Sequence, residues 1–127
     1  MTTDTQTPEE AAIENGARLV LRNAAREFEK GVPEAYRHIA DLSRGIAPDL
    51  APLTFPAAMK IGWALSGTVK ILAGQTTAEL GCTAMERAVA MLVLMGEFDR
   101  VVRWCAENDP DPSHWDGMKP PADGKLH

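Results

Sequence analysis

Apolar residues recur near the start of the chain at Ile13, Ala17, Val20, Leu21, Ala24 and Phe28, with charged and polar residues filling the positions between them. That i, i+4, i+7 rhythm is one face of an amphipathic helix. Its start is written in Thr7-Pro8-Glu9-Glu10: Thr7 as N-cap, Pro8 at the first helical position, and Glu10 placed to close a capping box. Gly31 predicts its end, because glycine takes the left-handed conformation past a helix terminus at no steric cost. Pro33 then opens a second helix through Tyr36, Ile39, Ala40 and Leu42, and the pair reads as an αα-hairpin.

From Arg44 to Pro56 the pattern breaks. Pro48, Pro52 and Pro56 rule out a regular helix, yet Ile46, Leu50, Leu53 and Phe55 make the stretch too apolar for a free linker. It is expected to strap over the bundle. A third helix runs from Pro56 to about Ala73, and in it Ala58, Gly62 and Ser66 form a smooth strip at i, i+4 and i+8. A glycine inside a helix costs roughly 0.5–1 kcal/mol relative to alanine, so Gly62 and Gly67 point to a close crossing. That crossing is either a contact within the chain or the seam of a homodimer. Two further capping boxes follow, Thr76 with Glu79 and Thr83 with Glu86, separated by Gly81. They predict one short helical turn and then a longer helix carrying Ala84, Ala88, Met91, Leu92 and Met95.

Gly96 interrupts the most apolar segment, Met91 to Cys105. Either the helix passes straight through it or the chain turns a corner there. Leu92, Gly96, Phe98 and Val101 resemble the turn of a tetratricopeptide-type helical hairpin over residues 84–112, with a bulky residue, a glycine, an aromatic and a small residue at the family's offsets. The resemblance implies a corner at Gly96 with Phe98, Val101 and Cys105 facing back, although nothing earlier in the chain repeats the pattern. After Asn108 the composition becomes rich in Pro, Asp and Gly, too polar to bury a core. The expected organisation is therefore a helical domain over 7–108 and a flexible tail over 109–127. The fold class is all-α, a compact antiparallel bundle of four to six helices.

Composition agrees with this picture. Of the 127 residues 45% are hydrophobic but only 6% aromatic, so the core must be built from Ala, Leu, Val, Ile and Met, which suits helices better than sheets. A net charge of -5 and a pI near 5.1 disfavour binding to nucleic-acid backbones or anionic membranes. The N-terminal residues lack the basic and apolar regions of a signal peptide. The longest uncharged runs, Ile61–Val69 and Ala88–Gly96, fall well short of the ~20 residues a bilayer needs. Cys82 and Cys105 have no CxxC spacing and read as free thiols in a reducing cytoplasm.

Candidate chemistry is sparse. There is no HExxH, no paired His/Cys spacing for zinc, no Gly-rich phosphate loop and no GxSxG. No catalytic residue, metal or cofactor is therefore assigned, and the chain is read as a binding protein rather than an enzyme. His38 is expected to be a partly exposed helix residue, Cys82 an inert packing residue, and Cys105 part of the core. Arg18, Arg22 and Arg26 stand in one row along the first helix. Like charges at that spacing repel unless a neighbour such as Glu14 or an acidic partner answers them. Trp104 and Trp115 are candidate anchors for another protein. Ala58, Gly62 and Ser66, or Met91 and Met95, are candidates for self-association into a homodimer. The alternative is a transcriptional regulator, because Glu79-Leu80-Gly81-Cys82-Thr83 resembles the turn of a DNA-binding helix-turn-helix within residues 73–92. Against it stand Arg87 at a position that wants a buried Val or Ile, and a reading helix too apolar to touch base edges. The leading expectation is a small acidic cytoplasmic interaction module acting as an adaptor, inhibitor or assembly factor, of the kind that phages and mobile elements also encode.

Overall fold

The computed structural model describes residues 6–111. Residues 1–5 and 112–127 lie outside it, and with them Trp115 and most of the predicted tail. Among the described residues there are five helices and no strand: α1 (Pro8–Arg26), α2 (Pro33–Ser43), α3 (Phe55–Gly74), α4 (Thr77–Leu80) and α5 (Ala84–Asn108). The protein is an all-α bundle. α1 packs on α2 and α5, α2 on α3, and the most extensive contact joins α3 to α5.

The helix starts are where local chemistry puts them. Thr7 accepts the Glu10 N–H at 3.1 Å while Glu10 accepts the Thr7 N–H at 2.9 Å. Thr76 with Glu79 and Thr83 with Glu86 repeat that exchange at α4 and α5. The helix ends were less legible. α1 stops at Arg26, before Gly31, and Gly31 is not in the left-handed region. Gly45 (φ 76) is, just past α2, where the N–H groups of Gly45 and Ile46 return to the Leu42 and Asp41 carbonyls. That is a Schellman ending. Gly81 (φ 67) closes α4 in the same way.

Gly96 does not mark a corner. α5 passes through it as one helix of 25 residues, so neither the expected turn nor the tetratricopeptide-type hairpin is present. The physical reason is the buried seam Ala90, Leu94, Glu97, Val101, Cys105. Its spacings of four, three, four and four keep one phase across residue 96, and the packing of the whole seam outweighs the ~1 kcal/mol that a mid-helix glycine costs. Gly96 itself faces open space.

The core is filled by Leu21 of α1, Ile39 of α2, Ile61 and Leu65 of α3, and Leu94, Val101 and Cys105 of α5. Alanines at 17, 25, 35, 58 and 90 are also buried and let the backbones approach. The proline-rich strap behaves as expected at Leu50, which is buried, while Ile46 stays about half exposed. No helix among the described residues is long and apolar enough to cross a membrane.

Candidate functional site: the groove between α3 and α5

α3 and α5 run antiparallel, since Gly62 meets Val101 while, further along α3, Ser66 and Lys70 share a pocket with Phe98 and Met95. The small-residue strip of α3 creates the crossing. Ala58 and Gly62, expected on a self-association seam, are covered by α5 of the same chain and are not outward-facing. A methyl group on Gly62 would meet Val101 Cγ1 at 3.8 Å, an ordinary contact. Because the strip carries almost no side-chain volume, it leaves a groove of about 270 Å³. Ala58, Gly62, Val101 and Cys105 form its floor, with Met59 and Trp63 on the α3 wall and Phe98 and Val102 on the α5 wall.

Trp63 is the most exposed large hydrophobic residue described, at 75%. Ser66, half-buried, joins the groove to a smaller hollow of about 150 Å³ between Val69, Lys70, Met95 and Phe98. Beyond it the outward side of α5 continues apolar through Met95, Leu92, Ala88 and Met85, all exposed. A monomer seldom presents so continuous an apolar surface unless something binds there.

The other predicted positions are dispersed. Arg18 pairs with Glu14 at 3.2 Å and folds over Gly45, whereas Arg22 and Arg26 are exposed. The three arginines thus do not act as one row, because the first is engaged within the chain. Trp104 is half-buried against the core and follows Val102 by two residues, so it faces away from the groove. Met91 is half-buried against the core and Met95 is exposed beside the groove. Trp115 lies outside the described residues. Sequence reasoning missed Trp63, which sits in an α3 segment so apolar on all sides that no face stood out as the wet one.

It also missed a buried ion network. His38 is 4% exposed rather than partly exposed, and its Nε2 lies 2.5 Å from Glu97 Oε2. Arg100 grips the same carboxylate through Nε at 2.9 Å and Nη2 at 2.7 Å, and donates to the Pro48 carbonyl at 2.6 Å. Burial alone would raise the Glu97 pKa, but the hydrogen bonds from His38 and Arg100 outweigh it and hold the carboxyl below its usual range. Glu97 is then an acceptor only, so the His38 Nε2 must carry the proton between them. The network ties α2, α5 and the strap together. Neither the groove nor the hollow beside it is lined by His38, Glu97 or Arg100, so this acid–base pair is closed to a substrate entering there.

A wider cleft of about 380 Å³ lies between α1, the end of α3 and α4. Of its polar groups, Thr68 donates to the Ala64 carbonyl, Glu79 accepts the Thr76 N–H at the start of α4, and the Gln75 carbonyl accepts from Arg87. Burial, reinforced by Glu86, pushes the Cys82 thiol up against the opposing pull of Arg87, and burial does the same to Cys105. Neither thiol is activated. Among the described residues no three His, Cys, Asp or Glu side chains come together as a metal site.

The fold and the groove define a class, a small helical bundle with a continuous apolar face turned outward. No protein-family model matches the chain, and no curated protein or solved structure matches it.

Proposed function

We propose that the protein is a helical interaction module that docks through the α3–α5 face, acting as an adaptor, inhibitor or assembly factor. One observation carries this reading. Trp63 stands 75% exposed at the lip of a nearly all-apolar groove. Tryptophan in water beside an apolar pocket is the signature of an interface anchor, because its burial on binding gives a large gain at little side-chain entropy cost. The occupant is a protein surface offering a bulky apolar side chain to the groove and a pocket to the indole. A nucleic-acid partner would need donors on the first turns of α5, and the outward residues there are Met85, Ala88 and Leu92.

The test is a full-length chain carrying a photo-crosslinking residue in place of Trp63, irradiated in native lysate at physiological salt. A control chain carries it at Lys30, which is exposed on the α1–α2 connection. A discrete protein adduct from position 63 and none from position 30 is the expected result. No adduct from position 63, or the same adducts from both positions, would remove the groove as a docking site.

A further inference from the structure

We infer that the occupant of the α3–α5 face is a second copy of this chain, with Trp63 of each protomer entering the groove of the other. The inference rests on the docking reading above and names its partner. Three observations on the same face support it.

The first is self-complementarity. The face carries both a knob, Trp63, and a hole, the groove of about 270 Å³. Trp63 forms one wall of its own groove and so cannot fill it. A two-fold axis is the operation that gives every knob a hole, and isologous pairing of this kind is the commonest form of protein assembly.

The second is the doubled seam of α5. Ala90, Leu94, Glu97, Val101 and Cys105 face the bundle, while Met85, Ala88, Leu92 and Met95 are exposed at spacings of three, four and three. That outer spacing is the heptad seam by which helices of separate chains pack.

The third is area. A two-fold axis parallel to the two helices lays α3 of one protomer over α5 of the other at unchanged height. The same axis sets Trp63 over the partner's Phe98 and Val102 side of the groove. Each buried indole removes roughly 150–250 Å² from water, so the pair supplies a substantial part of the ~1,200 Å² at the lower end of stable interfaces. Met59, Leu92 and Met95 extend the contact.

The experiment is sedimentation equilibrium of the full chain, followed for wild type and Trp63→Ala. Circular dichroism shows in each case that the helices persist, as they should for exposed positions. Wild type is expected at twice 13.8 kDa. Trp63→Ala is expected to weaken association at least about tenfold. A wild-type monomer at all accessible concentrations would overturn the second copy as occupant. A dimer indifferent to Trp63→Ala would also overturn the inference, by placing the dimer contact elsewhere. The crosslinker at position 63 separates the two readings. An adduct of the chain with itself supports both. An adduct with a foreign protein, or an intramolecular one to residues 112–127, overturns the second copy; only the foreign adduct leaves docking standing. No adduct removes both.

Discussion

Glu97 is a carboxylate placed in the middle of an apolar seam, and everything around it is arranged to keep it charged. Its neighbours on that side of α5 are Leu94 and Val101, and among the described residues His38 and Arg100 meet its oxygens. Removing one member of a buried ion pair leaves the other desolvated and unmatched, which costs about 3–5 kcal/mol. Glu97→Ala is accordingly expected to lower unfolding stability by that order in urea titration. Replacing Glu97 and His38 together by Leu should cost less than Glu97→Ala alone. The sign of the pH effect follows from the depressed Glu97 carboxyl. A group with a lowered folded pKa contributes stability above its unfolded value of about 4.3, and that contribution is lost as pH falls through the folded value. Melting temperature measured from pH 6 down to pH 3 should therefore fall more steeply in wild type than in Glu97→Gln. Nothing in the sequence analysis singled out Glu97, because His38 lies 59 positions away and only the packing of α2 on the bundle brings the two together.

At the scale of the element, glycines divide by backbone conformation rather than by what surrounds them in the sequence. Gly96 is helical with open space around it, so Gly96→Ala should hold or raise stability by about 0.5–1 kcal/mol. Gly45, at φ 76 with the Arg18 guanidinium where a Cβ would stand, should respond the other way. Gly45→Ala is expected to destabilise by about 1–2 kcal/mol, the cost of the left-handed region for a residue with a side chain. Thermal melts of the two variants side by side check both. The three capping boxes could be read directly because every partner lies within three residues. Gly96 was misread because its role depends on whether the apolar phase survives across it, and the offsets of Leu92, Phe98 and Val101 favoured a corner. Gly31 was misread for a related reason: α1 frays into turns after Arg26, before any left-handed cap is needed.

For the whole molecule, the all-α class was visible in the 3.6-residue rhythm, whereas the exposed face was not. α3 is apolar on most of its circumference, so the sequence alone cannot say that Ala58, Ile61 and Leu65 turn inward while Trp63 turns out. The strip Ala58, Gly62, Ser66 did mark a helix crossing, one internal to the chain. If association runs through this largely apolar face, moderate sodium chloride should change it little and sulfate should strengthen it. Sedimentation across both salts measures this, and a steep loss with sodium chloride would indicate a mainly ionic contact instead. The uninterrupted α5, a rod of roughly 37 Å, then has a consequence for what lengths the chain tolerates. Its inner and outer stripes are two readings of one screw, locked in phase by the roughly 100° between successive residues. Insertion of a single residue after Gly96 would swing Glu97, Val101 and Cys105 out of the core and Phe98 and Val102 off the groove in the same stroke. Loss of fold and loss of docking would be a single event at that position, so a variant with one defect and not the other cannot arise there by a change of length.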